Sequence, residues 1–260
     1  MRKSLIRGRM MGLISVLVLL LLLELVGRTG LLFDPKYLPL PSTILSTAFR
    51  WDVVQELGSN LGVSLTRSAA GFILTSFIAL PLGVAMARSA LFFNLVEPLV
   101  EMIRPMPGAA IIPAALVLFG LGEPAKLIVI VIGSFGPLLV ATYDSIRRVD
   151  PILLDTARML HLSPSQSLTH IILPAASPEI LSGARTTLAY AYILTVTVEM
   201  IFGTDGLGHF LIDMQRSINY PEMYLGIFAS AMAGYLLYRL FLLWERAFLR
   251  WHYEYTRAGR

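Results

Sequence analysis

The stretch DTARMLHLSPSQSLTHIILPAASPEI, Asp155 to Ile180, sits between long apolar runs yet carries Asp155, Arg158, His161, His170 and Glu179. Its local signals are those of helix ends. Just upstream, Asp150-Pro151 is a strong helix start, because an Asp side chain accepts from free backbone N–H groups and a Pro in the first turn gives up no bond. A helix of about ten residues is expected to follow, through Leu160, with Ile152, Leu153 and Ala157 alternating with polar positions in a roughly helical pattern to give an amphipathic surface. At Ser163-Pro164-Ser165-Gln166, Ser with Gln three positions on is a capping box that opens a second helix. Pro174 is expected to end that helix. Ser177-Pro178-Glu179 is expected to open a third, with Glu179 at the positive end of its dipole. Ordered, capped helices with no lipid to bury against point to a rigid hairpin that docks on a soluble partner.

The rest of the chain sets the context. Of 260 residues, 56% are hydrophobic and 15% charged, and the mean hydropathy is +0.70. Soluble domains run near 45–50% apolar and about 25% charged. The apolar residues come in blocks of span length rather than in alternation. Six spans are expected, near residues 10–27, 65–87, 92–118, 124–143, 181–202 and 224–245, in an all-α polytopic membrane protein. The third should be bent or split by Pro98, Pro105, Pro107 and Pro113. The first has a basic start and a long apolar run with no A-x-A site after it, and reads as an uncleaved span.

Basic residues set the orientation. Arg2, Lys3, Arg7 and Arg9 precede the first span, while Arg246, Arg250, Arg257 and Arg260 follow the last. Arg88, Arg147, Arg148 and Arg158 fall on the same side. The other side keeps Arg28, Lys36, Arg50, Lys126 and Arg216. Positive-inside logic therefore places both termini and the hairpin in the cytoplasm. That bias also accounts for the net charge of +4 without nucleic acid. No cysteine occurs, which excludes disulfides, thiolate metal sites and cysteine nucleophiles. Residues 1–62 read as a first span and an outer loop, with an amphipathic WDVVQELGSNLG at its end. Residues 63–250 read as a transmembrane domain with the hairpin at about 150–175, and 251–260 as a cytoplasmic tail.

The hairpin resembles the signature of permease subunits of bacterial ATP-binding-cassette importers, E-A-A-x3-G-x9-I-x-L-P. Asp155 takes the Glu position, Thr156 and Ala157 the alanines and His161 the Gly, while Ile171, Leu173 and Pro174 match the end with every spacing kept. LPLPST, EMIRPMPGAAIIPAALVLFGLGE, RRVDP and VEMIFGTDGLGHFL extend the likeness to the nitrate/sulfonate/taurine branch over residues 38–250. The resemblance implies a type I importer permease fold in the bacterial inner membrane. It also implies a second permease subunit, two cytosolic ATPases and an extracytoplasmic binding protein. The segment around Asp155, Thr156, Ala157, Arg158, His161 and Ser163, with Leu173 and Pro174, would be the ATPase-coupling element. The solute would be a small organic or inorganic anion. No cofactor belongs to the chain itself, since ATP is bound by the partners. Asp155 shortens the carboxylate arm by one methylene. His161 stands where a left-handed backbone is usual, and His is among the residues that tolerate it.

Two polar groups within spans are candidates for the pathway. Arg185, Tyr192, Thr195 and Glu199 fall on one face of the fifth span, as pathway lining or as a hydrogen-bonded seam between helices; charge is costly in hydrocarbon, so the face should look inward. Arg104, beside the RPMPG break, is placed to attract an anion or to pair with Glu101. A membrane enzyme is disfavoured: neither HExxH nor GxSxG occurs, and His161, His170, His209 and His252 lack metal spacing. An ion- or proton-coupled carrier and an importer permease for a vitamin precursor are the alternatives.

Overall fold

A computed structural model describes residues 2–30 and 34–250 of the chain. Every regular element among them is helical, in the order α1 (Arg2–Thr29), α2 (Pro41–Thr47), α3 (Trp51–Arg88), α4 (Ala90–Ile103), α5 (Ile112–Phe119), α6 (Glu123–Arg147), α7 (Pro151–Met159), α8 (Pro164–Ser167), α9 (Leu173–Phe202), α10 (Leu207–Arg216) and α11 (Tyr220–Phe248). Of these, α3, α6 and α11 are long and apolar enough to cross a membrane. Two bent pairs add to them. The first joins α4 to Gly108–Phe119 at 96°, and the second joins Pro164–Phe202 to α10 at 41°. The first bend falls at Arg104–Pro107, where the prolines predicted it.

The core is the mutual packing of α3, α6 and α9. Small residues let their backbones approach, as membrane helices without a hydrophobic drive between them require. A Cβ at Gly71 of α3 would lie 2.4 Å from the Ile130 side chain of α6, and one at Gly183 of α9 would lie 2.3 Å from Ala141. Val129, Ile130, Leu138 and Leu139 of α6 and Ala191 and Val198 of α9 are fully enclosed in this core. The outward side chains of α1 and α11 are largely exposed Leu, Phe, Met and aromatic residues, as lipid-facing helices should be. Glu24 of α1 is not idle: it accepts from the Ser42 amide and hydroxyl at 3.1 and 2.8 Å, tying α1 to the start of α2.

Two expectations need correction. Residues 51–62 do not belong to a loop; they form the first turns of α3. Their polar positions Gln55, Glu56, Ser59 and Asn60 belong to a helix that runs on past its apolar stretch. Nor does Pro174 end a helix. The backbone runs from α8 through a π-turn at Leu168–Ile172 directly into α9, with Pro174 in its first turn and Pro178 inside it. The wide turn removes the crowding that a proline ring imposes on an ordinary α-turn. Pro178 withholds an amide from the Pro174 carbonyl, and the Ser177 hydroxyl donates to that carbonyl at 2.8 Å instead. Ser177 thus repairs the helix rather than starting one. The expected tail, 251–260, lies outside the described residues.

Candidate functional site

The hairpin joins α6 to α9. Asp150 caps α7 as expected, its side chain accepting from the Ile152 amide at 2.9 Å. At the other end Leu162 N–H donates to the Ala157 carbonyl at 3.1 Å and His161 N–H to the Arg158 carbonyl at 3.0 Å. These are the two bonds of a Schellman turn, which needs a left-handed residue at its end. His161 supplies it, with φ 52°. The Ser163 hydroxyl then accepts from Gln166 N–H, and the Gln166 side chain accepts from Ser163 N–H at 2.9 Å, completing the capping box. The Schellman turn and the capping box, set back to back, stiffen the corner.

The two faces of α7 differ. Ala157 is turned inward and 3% exposed, on the helix that packs against the π-turn. Outward stand Ile152, Leu153, Met159 and Leu160, with Met159 78% exposed. Asp155 and Arg158 pair at 2.9 Å on this surface, both well exposed, and the Thr156 hydroxyl donates back to the Ile152 carbonyl. Leu173 and Pro174 lie further along, in the return helix. Together with Leu80, Val84 and Phe248 they line a largely apolar cavity of about 810 Å³. So apolar a space does not suit an anion.

The four polar residues of the fifth span share a helix but not a common site. Arg185 is partly exposed; it faces Glu245 of α11 at 3.4 Å and lies over the Tyr238 ring. The Tyr192 hydroxyl donates to the Ser230 carbonyl at 3.0 Å, also on α11. Thr195 is buried and donates to its own helix at Ala191. Glu199 is 1% exposed. Arg185, Tyr192 and Glu199 thus look toward neighbouring helices of the same chain, while Thr195 bonds within its own. Arg104 lies on a different element, at the α4 break, exposed and paired with Glu101 at 3.2 Å.

Glu199 leads to a group of residues that the sequence reading did not assemble. Arg67 of α3, 6% exposed, donates to Glu199, to both oxygens of Glu123 at 2.6 and 2.9 Å, and to Asp205 at 2.9 Å. Lys126 adds bonds to Glu123 at 2.8 Å and Asp205 at 3.2 Å. Burial pushes the Asp205 carboxyl up, but its bonds to Arg67 and Lys126 outweigh that and hold it below the usual carboxylate range. One signal was available: Arg67 and Glu199 are opposite charges inside separate apolar runs, and such charges pair. Among the described residues no group of His, Asp and Glu is arranged to hold a metal ion.

The family model described as binding-protein-dependent transport system inner membrane component matches residues 79–251, hairpin included. SsuC of Bacillus subtilis, assigned as an aliphatic sulfonates transport permease, is 31% identical over 248 residues, covering 95% of this chain and 90% of its own. The taurine transport system permease TauC of Escherichia coli is 29% identical, covering 93% and 90%. A chain of the inward-facing MetNI methionine ABC transporter shares the fold, with a TM-score of 0.67 at 19% identity over 76% of this chain and 99% of that one. The chain belongs to the family of inner membrane components of binding-protein-dependent transport systems.

Proposed function

We propose that this ABC importer permease passes a small organic anion bearing a sulfonate group. Cytosolic ATPase subunits would drive it through the α7–α8 hairpin, and an extracytoplasmic binding protein would deliver the solute. The observation that carries the coupling role is the hairpin itself: a corner closed by an Asp cap, a Schellman turn and a capping box, presenting Ile152, Leu153, Met159 and Leu160 outward. An apolar patch on a stiff polar element suits a protein groove. Stiffness matters because a floppy loop would absorb the displacement that ATP-driven closure delivers. Asp155 and Arg158 flank the patch and give the groove a charged pair to register against.

The sulfonate class rests on the likeness to SsuC, an aliphatic sulfonates permease, and to TauC, a taurine permease. A second permease subunit completes the path, with Arg104 in its wall, where an exposed guanidinium midway along a bent span attracts an anion. Arg185, Tyr192, Thr195 and Glu199 brace the helices behind that wall. The hairpin side, with both termini, faces the cytoplasm, as its arginines favour.

The test replaces Ala157 with Asp. The site is enclosed, so a carboxylate there either displaces the hairpin or remains buried and unpaired, at a cost of several kcal/mol. Expected are normal membrane insertion, loss of ATPase co-purification and loss of uptake. Normal pull-down and uptake in that variant would refute coupling through the hairpin.

A further inference from the structure

From Pro164 to Phe202 the backbone is one helical rod with a single π-turn, roughly 55–60 Å long at about 1.5 Å per residue. A displacement at the hairpin therefore reaches the far end of the rod. What happens there depends on the bend into α10.

That bend is built around one carboxylate. Glu199, in the last turn of α9, accepts from Arg67, from the Ser64 hydroxyl at 2.6 Å and from the Gly208 amide at 3.1 Å. Ser64 in turn accepts from the Leu207 amide at 2.7 Å, and Asn60 accepts from the Gly206 amide at 2.9 Å. Asn60, Ser64 and Arg67 lie on one face of α3. The first amides of α10 are therefore held by α3 and α9 together. The backbone is moulded to the carboxylate: Gly206 has φ 93°, and a Cβ there would lie 2.3 Å from the Glu199 carboxyl carbon. Arg67 extends the tie to α6 through Glu123.

We propose that Arg67 and Glu199 are positioning residues, a pin that makes the far ends of α3, α9 and α10 move as one body. Hairpin displacement then reaches the transport path instead of being lost in the α9–α10 bend. The inference rests on the coupling reading above and adds the site at which coupling is delivered.

The experiment uses the whole transporter, permease with its ATPases and binding protein, in proteoliposomes, with taurine as the solute. Uptake and ATP hydrolysis are measured together for Arg67→Gln, Glu199→Gln and the double variant. The single variants are expected to keep hydrolysing ATP while uptake per ATP falls by at least about fivefold, the lower end of ordinary coupling between sites. The double variant is expected to lose no more coupling than the worse single variant, because both residues act through the same contact. An unchanged ratio, or uptake and hydrolysis falling in parallel, overturns the pin. If the variants do not assemble, the native pin is tested directly. The chain has no cysteine, so Gln55→Cys and Gln215→Cys, both at exposed positions, take spin labels cleanly. Their separation should change by less than about 2 Å between nucleotide-free and nucleotide-trapped states, and a larger change overturns the pin. A wild-type transporter whose hydrolysis ignores the binding protein would instead sink the coupling reading.

Discussion

Gly206→Ala perturbs the α9–α10 bend with one methyl group. At Gly206 the backbone is at φ 93° and ψ 170°, a region occupied essentially by glycine alone, and alanine there costs about 1–3 kcal/mol. The new Cβ would also lie 2.4 and 2.6 Å from the two Glu199 carboxylate oxygens, so the carboxylate must shift. Losing even one charge-assisted bond there adds about 1.5–3 kcal/mol. The sum is about 2.5–6 kcal/mol, which for a chain of this size lowers the melting temperature by roughly 5–20 °C. The assay is thermal unfolding of the detergent-purified protein, with hydrogen exchange of the α10 amides as the local readout. Gly58→Ala is the control: its Cβ meets nothing within 4 Å, and in a helix interior the change stabilises by about 0.5–1 kcal/mol. Equal melting of the two variants, with α10 protection intact, would refute the reasoning.

Other outcomes follow from the hairpin and from Asp205. His161→Gly relieves a left-handed non-glycine residue that costs about 1–2 kcal/mol, so hydrogen exchange in α7 should slow slightly with ATPase binding retained; faster exchange would contradict the Schellman assignment. Ser163→Ala removes the capping box at a cost of about 1 kcal/mol, and should raise exchange at Gln166 and Ser167 while leaving α9 protected. The Asp205 carboxyl is held below its unfolded value of about 3.9. Its stabilising contribution is therefore complete above that pH and lost as pH falls through the folded value. Asp205→Asn should flatten the acid limb of the stability profile, and an unchanged limb would count against its pairing with Arg67 and Lys126.

What was legible in the sequence was local. The Asp150 cap and the capping box at Ser163 each depend on residues within one turn of each other, so spacing alone sufficed. The break at Arg104–Pro107 was legible for the same reason. The left-handed His161 was legible only through the resemblance to the permease signature. The continuity of the helix through Pro174 and Pro178 was not, because it depends on a π-turn and on a hydroxyl standing in for a missing amide. The extension of α3 over residues 51–62 was obscured by polar positions that resemble a loop. The shared face of Tyr192, Thr195 and Glu199 was legible, but not what it faces. Arg67 and Glu199 are 132 positions apart, and only packing of α3 on α9 joins them.

The central claim, that an ATP-hydrolysing subunit grips the hairpin, is tested most directly by crosslinking. Arg158 and Ser163 are exposed at the corner, and in a cysteine-free chain a single cysteine at either place carries the crosslinker. In native membranes the account predicts an adduct with the nucleotide-binding subunit whose yield changes on adding ATP. Adducts with lipid alone, in every nucleotide state, would contradict it.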